Sequence, residues 1–537
     1  MGNLRKCYRQ RALAVDKIAT AAAYASQHVW STTMPNPLYD ALFGQHIGNT
    51  APFLWTDAGT TVTYADFITR AGQMAAALDH LEVGVGERVA LQLRKSVDAL
   101  ALCAACIQRG IIFLPLNPAY TAAEVDYFVS DSGAVLLVCD GANLDALAPV
   151  AASADARIET LDPDGTGTFA ALSDGMVPSS VVTDRGDDEL AAFLYTSGTT
   201  GRSKGAMLSQ QNLLSNARTL AELWRFTSDD QLLHALPIFH THGLFVATNT
   251  VLLTGGSMRF IESFSTDALI DAMPNATTMM GVPTFYTRLL DDPRFTKDLA
   301  KNMRLFISGS APLLAETHRA FTERTGHHIL ERYGMTETNM STSNPYDGAR
   351  KPGTVGLPLP DVDLKITDPE TSALVAQGEV GQIEVRGPNV FQGYWQMPKK
   401  TAAELRPDGF FITGDLATQD EDGYVTIVGR AKDLIIAGGY NIYPKEVEAA
   451  LDAEDGVLES AVIGVPHADL GEAVVAVVVP EAAEEIDTDA LKNALSDKLA
   501  KFKQPRKIIV LPELPRNTMG KVQKAEMRRI YADLFDS

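Results

Sequence analysis

From about residue 37 to residue 430, short apolar, β-branched runs alternate with amphipathic stretches of helical period. This alternation predicts an α/β fold, sheets packed against helices. The helix boundaries are written in local chemistry. Ser96 precedes a helical stretch that closes at Gly110, a hydroxyl cap at one end and a glycine at the other. Thr121-Ala122-Ala123-Glu124 reads as a capping box opening a second helix. Residues 191–195, all apolar or aromatic, read as a buried strand running directly into the polar loop 196–205. A strand end of this kind is where α/β sheets hold ligands. Past Arg430 the texture changes: Pro444 opens a helix, and residues 457–465, 473–479 and 508–511 are strand-like. The expected organisation is an extension over 1–36, a large α/β domain over 37–430 with a small β subdomain, and a smaller mobile α+β domain over 431–537.

Composition narrows the function classes. A chain of 537 residues exceeds the usual size of one core. Its 46% hydrophobic and 21% charged residues are those of a globular protein. No apolar run is long enough for a bilayer. The net charge of −21 disfavours a nucleic-acid partner, which needs a basic face. Small anionic ligands would instead require the fold to gather its few cations at one place. Cys7, Cys103, Cys106 and Cys139 are too few for a disulfide scaffold. The Cys103-x-x-Cys106 pair lies in the apolar run 99–107 and reads as packing rather than redox chemistry, which suits the cytoplasm. Arg5, Lys6, Arg9, Arg11 and Lys17 stand against a single acid, Asp16, in the first 33 residues. Two readings remain open: a mitochondrial transit peptide, or sequence upstream of a true start at Met34.

Five segments carry chemistry. The loop Thr196-Ser197-Gly198-Thr199-Thr200-Gly201-Arg202-Ser203-Lys204-Gly205 combines glycines, hydroxyls and a lysine. Glycines let backbone N–H groups close on a polyphosphate, the hydroxyls add donors, and Lys204 adds charge. The loop is not a Walker A, because Arg202 rather than lysine follows Gly201. In Glu331-Arg332-Tyr333-Gly334-Met335-Thr336-Glu337, Tyr333 has the shape to stack on a base, and Glu337 suits Mg²⁺, a hard cation that shares phosphate oxygens. Thr413-Gly414-Asp415 and Gly429-Arg430 offer an aspartate and an arginine for a ribose. A last loop, Leu514-Pro515-Arg516-Asn517-Thr518-Met519-Gly520-Lys521, ends in a lysine that alone would be unremarkable.

Taken together and in this order, the segments resemble the adenylate-forming superfamily of acyl-CoA synthetases, luciferases and peptide-synthetase adenylation domains, over residues 37–533. The resemblance implies two half-reactions: ATP and a carboxylic acid give an acyl-adenylate and diphosphate, then a thiol displaces AMP. It implies Lys521, Glu337, Thr196 and His240 as catalytic groups, with Mg²⁺ at Thr196 and Glu337. The nucleotide would lie on 196–201, Lys204, the adenine segment Gly309-Ser310-Ala311, residues 331–334, Thr336, Asp415 and Arg430. Lys432 would be the hinge of the C-terminal domain, and Gly438, Gly439 and Tyr440 would line the coenzyme A tunnel after rotation.

The acyl-site segments are unusually polar. The resemblance implies a pocket lined in generic members by apolar residues and glycines, whereas these segments carry His240 and His242, Arg288 and Ser308, beside Gly309 and Met335. An inward Arg288 would fork onto a second carboxylate; the alternative is a helix-surface arginine. These segments are similar to those of the malonate:CoA ligases, which implies malonate as the acid and methylmalonate as a possible second substrate. The alternatives are a CoA ligase for another small acid and an adenylation module that loads a carrier protein.

Overall fold

The computed structural model describes residues 36–196, 203–481, 486–496, 498–517 and 520–535. The cap chemistry operates as its residue types dictate. Ser96 accepts the Ala99 N–H at the start of helix Val97–Arg109, and Gly110 closes that helix in the left-handed region at φ 66°. Thr121 and Glu124 form both bonds of a capping box before helix Ala122–Ser132. Helix Val97–Arg109 is buried almost throughout, with the thiols of Cys103 and Cys106 unpaired inside it. Burial pushes the Cys103 thiol up to about 12, so it packs as a small apolar group.

Among the described residues the strands form four sheets. The first is six-stranded and parallel except for its last pair, where strand Leu190–Thr196 turns back antiparallel into Lys204–Ser209. The second has nine strands, and its six central ones are parallel: Leu330–Met335, Leu305–Ser308, Thr278–Gly281, Gln231–His234, Ser257–Phe260 and Pro52–Thr56. Helices cover both sheets, and one hydrophobic core runs through the pair. The third sheet is a four-stranded antiparallel meander from Asp363–Thr367 to Val425–Arg430. The fourth, built from residues 435–510, has its own apolar clusters around Val462, Val474 and Val477. The whole is the large α/β assembly plus small α+β unit that the pattern predicts.

This topology fixes where chemistry occurs. Thr196, His234, Gly281, Ser308 and Met335 are each the last residue of their strand, so five strands deliver their carboxyl ends to one side of the molecule. The opposite edge is locked by a buried ion pair. Arg304, just before strand Leu305–Ser308, forks onto Asp230, just before Gln231–His234, at 2.8 and 2.7 Å. Thr277 Oγ1 and the Thr227 N–H donate to the same carboxylate at 2.7 and 2.9 Å. Burial alone would raise the Asp230 pKa; these donors outweigh it and hold the group below the usual carboxylate range.

Removing one partner of a buried pair leaves an uncompensated charge, so Arg304→Met should cost about 3–5 kcal/mol of stability at neutral pH. The sign of the pH dependence follows from the depressed pKa. The native pair contributes above the ordinary aspartate pKa and is lost as pH falls through the lower folded one. Urea unfolding at neutral and acid pH should therefore show the deficit of the variant shrinking on acidification. A deficit independent of pH would mean that Arg304 contributes packing alone.

Candidate active site

On one side of the cleft, Asp415 and Arg430 are directly opposed on neighbouring strands of the meander. Arg430 Nε lies 2.9 Å from Asp415 Oδ1, and the Tyr333 hydroxyl donates to Oδ2 at 2.6 Å. The carboxylate is thus held from both oxygens, and each keeps lone-pair capacity for a further donor. Burial and Asp415 both push the Tyr333 phenol well up, so it remains a donor. Asp415 likewise raises the Arg430 pKa and keeps the guanidinium charged. An aspartate braced in this way suits the paired hydroxyls of a ribose.

Thr196 ends its strand opposite Lys204. Ser197, Gly198, Thr199, Thr200 and Gly201, which join them, lie outside the described residues. Among the described residues, buried Thr196 Oγ1 has no hydrogen-bond partner. Lys204 Nζ sits 4.0 Å over the Tyr394 ring and 3.5 Å from Glu404. The Tyr394 hydroxyl lies between two carboxylates, 3.0 Å from Glu337 Oε1 and 2.7 Å from Glu404 Oε2. Burial raises the Glu337 pKa, against the opposing pull of Lys204 and Tyr394. An unpartnered hydroxyl and a buried carboxylate form an oxygen-only donor set, which fits a hard cation such as Mg²⁺ completed by phosphate oxygens and water. Tyr394 and Glu404 carried no signal in the sequence. They reach the site because residues 392–395 pair with the returning strand Lys204–Ser209, through Gln392 N to Met207 O at 2.9 Å and Trp395 N to Gly205 O at 2.8 Å.

The third part of the cleft is built around Arg332. The side chain lies directly over Gly309, where an added Cβ would come within 2.3 Å of its Cζ. Arg332 is buried, and among the described residues its Nε and Nη2 have no hydrogen-bond partner. Burial lowers its pKa to about 9, which leaves it charged at neutral pH. His242 Nδ1 is 3.1 Å from Ser310 Oγ, while its Nε2 is buried without a partner. Ser310 adopts φ 71°, a conformation a serine holds only when its surroundings impose it. Burial first, then Arg332, keeps His242 well below its usual pKa. Burial, Lys521 and Arg332 lower His240 to about 3. Both imidazoles are therefore neutral. Ser308 Oγ, adjacent to Gly309, is also buried and unpartnered.

Lys521 enters from the C-terminal unit. Its loop is a small hairpin closed by a bridge between Arg516 and Val522, with Arg516 Nη2 paired to Glu459. A Cβ at Gly520 would lie 3.9 Å from Thr284 Oγ1, so the loop is seated against the large domain. Lys521 keeps solvent-accessible area, yet the cleft walls surround it. This crowding depresses its pKa, as does the charge of Arg430, while Asp415 and Glu337 pull the other way.

Two expectations need correction. Arg288 lies in the last turn of helix Pro283–Asp291, exposed and stacked 5.3 Å over Phe264. It is the helix-surface arginine and not a buried fork; Arg332 is a buried guanidinium of this region. Glu331 does not open toward a nucleotide either. It contacts His318 Nδ1 at 3.0 Å and accepts the Gly353 N–H at 3.4 Å. Gly334, Met335, Thr336 and Ala311 are half-buried at the strand ends. Lys432 is exposed in the short turn Ala431–Asp433, and Gly438, Gly439 and Tyr440 are exposed on the C-terminal unit, Tyr440 stacked on Phe502 at 4.5 Å.

Comparison with known proteins agrees with this geometry. A family described as AMP-binding enzyme matches residues 44–395, and its C-terminal domain matches residues 446–521. A malonate–CoA ligase of Arabidopsis thaliana is 34% identical over 86% of this chain and 81% of its own. A feruloyl-CoA synthase of an Amycolatopsis species is 36% identical over 88% of this chain and 94% of its own. MatB from Rhodopseudomonas palustris is 55% identical over 94% of this chain and 100% of its own, with a TM-score of 0.92 in its ATP-bound structure and 0.81 in its apo structure. Matched over both domains and over nearly its full described length, this chain belongs to the AMP-binding enzyme family.

Proposed function

We propose that this chain is an AMP-forming ligase that joins malonate to coenzyme A through malonyl-adenylate. The observation that carries the choice of acid is Arg332, a buried, charged guanidinium of which two nitrogens have no hydrogen-bond partner among the described residues, in the acyl part of the cleft. A dicarboxylate would pair with it through the carboxylate that does not react. A monocarboxylate would leave it unpaired, at a cost of about 1.5–3 kcal/mol. The name of the Arabidopsis relative supports the same acid. Methylmalonate is a second substrate on this reading, since one methyl discriminates by only about 1–3 kcal/mol.

The residues divide the work. Asp415, fixed by Tyr333 and Arg430, accepts from the ribose hydroxyls. Thr196 and Lys204 hold the phosphates, and Glu337 and Thr196 would hold Mg²⁺. When bound, Mg²⁺ supplies charge neutralisation on the phosphates. Arg332 anchors one carboxylate, with His242 Nε2 and Ser308 Oγ as further polar contacts, so that the other faces the α-phosphate. Lys521 then stabilises the charge that builds on that phosphate during attack, an electrostatic role rather than proton transfer. Diphosphate leaves, and rotation about Lys432 withdraws Lys521 and brings residues 438–440 to the acyl group for attack by the CoA thiol. The free, buried thiols of Cys103, Cys106 and Cys139 suit a reducing compartment: the cytoplasm, or the mitochondrial matrix should residues 1–33 act as a transit peptide.

Diphosphate exchange and thioester formation should run best with malonate among malonate, methylmalonate, succinate, oxalate, acetate and ferulate. Arg332→Met should lower kcat/KM for malonate by about 10- to 150-fold while leaving acetate nearly unchanged. Preference for a monocarboxylate, or an Arg332→Met enzyme with unaltered malonate kinetics, would sink the assignment.

Lys521→Ala should abolish adenylation yet still form thioester from supplied malonyl-adenylate; an equal loss of both half-reactions would refute its role. Because the Lys521 pKa is depressed, the adenylation rate should fall on the alkaline side below the ordinary lysine range, as the charge is lost.

A further inference from the structure

Two buried ionisable residues take no part in the chemistry above. Lys95 immediately precedes the N-cap Ser96, in the first α/β sheet's half of the molecule. Its Nζ reaches across to the second sheet: 2.8 Å to His234 Nδ1, 2.7 Å to the His234 carbonyl and 2.7 Å to the Ile261 carbonyl. An ammonium has three hydrogens and no acceptor, so these three acceptors satisfy it completely. The Phe260 ring, 4.3 Å away, adds a cation–π contact.

This arrangement determines the state of His234. With Nδ1 accepting from Lys95, the imidazole proton resides on Nε2, which faces the Gly243 carbonyl at 2.9 Å. Thr248 Oγ1 donates to the same carbonyl at 2.8 Å. Gly243 lies in the π-helical turn His242–Thr248, and a side chain there is impossible: a Cβ would meet the Pro237 carbonyl oxygen at 2.0 Å. Single π turns arise where side chains intrude on the helical ladder, and they recur at functional sites. The first residue of this turn is His242, whose Nε2 is unpartnered in the acyl cleft, and His240 lies two residues before it.

We propose that Lys95 and His234 are positioning residues for the acid. The Lys95 ammonium fixes the Nε2–H tautomer of His234, and that N–H holds the Gly243 carbonyl so that the π turn presents His242 and His240 to the substrate. The inference rests on the reading of this part of the cleft as the acyl site, though not on malonate being the acid. Burial depresses the pKa of both groups, against the pull of Asp57 and Glu262 on Lys95, and the three acceptors around Nζ are the geometry that calls for three hydrogens there.

The test uses the full-length enzyme and whichever acid the wild type adenylates fastest, so a wrong assignment of malonate leaves it intact. Lys95→Met and His234→Leu should raise the KM for the acid about tenfold or more in diphosphate exchange, with the KM for ATP changed less than about twofold. His234→Gln, which retains a donor near the Nε2 position, should recover most of the acid affinity. A merely structural role would raise both constants together or neither, and either result overturns the proposal. Imidazole nitrogen NMR of the wild type gives a readout independent of whether the variants fold: His234 should carry its proton on Nε2, and a proton on Nδ1 would refute the mechanism.

Discussion

A buried guanidinium with unpaired N–H groups is among the more expensive things a fold can hold, and the acyl cleft is organised around one. Desolvating a charge costs several kcal/mol unless partners replace water. At Arg332 the protein supplies the space and withholds the partners. Gly309 removes the Cβ that would collide with Cζ, and the side chain remains charged despite a pKa lowered to about 9. The neighbouring groups are equally unspent, with His242 Nε2 and Ser308 Oγ both buried and free. Such a site is complementary to an anion, and the fold's stability must come from elsewhere. The Asp230–Arg304 lock at the far edge of the same sheet is one such place, where each carboxylate oxygen accepts two hydrogen bonds.

The local chemistry of the elements was legible from the chain because it is local. Ser96 and Gly110, Thr121 and Glu124, and the apolar run ending at Thr196 each state a boundary within four residues of themselves. The order of the five motifs was legible too, and it carried the family. The acyl pocket was not legible in the same way. For Arg288 the sequence leaves an inward fork and a helix-surface arginine open, and its place in a helix's last turn decides for the second, exposed over Phe264. Arg332 was assigned to the nucleotide with its neighbours, although alternation along a strand sends it to the face opposite Glu331 and Tyr333. Tyr394, Glu404 and Lys95 were invisible for a further reason. Their roles depend on pairings with residues 337, 204 and 234, far away in the chain, and no short pattern encodes that distance.

Charge links the pocket to the movement of the domain. The chain carries a net −21, yet Lys204, Arg332, Arg430 and Lys521 are collected in one cleft. Their mutual repulsion is visible in Lys521, whose pKa Arg430 and Arg332 both depress. ATP and a dicarboxylate relieve that repulsion when they bind, which favours the seated position of the Lys521 loop against Thr284. The greater likeness to the ATP-bound than to the apo structure of the R. palustris relative is in keeping with such a seated arrangement. Once the acyl-adenylate has formed and diphosphate departs, most of the negative charge leaves with it. On the proposed rotation, the cations that remain repel one another again, and Lys521, on the smaller unit, is the one that would withdraw. On the proposed reaction, the same electrostatics that stabilise attack on the α-phosphate also clear the cleft for the thiol, with no separate signal needed between the two steps.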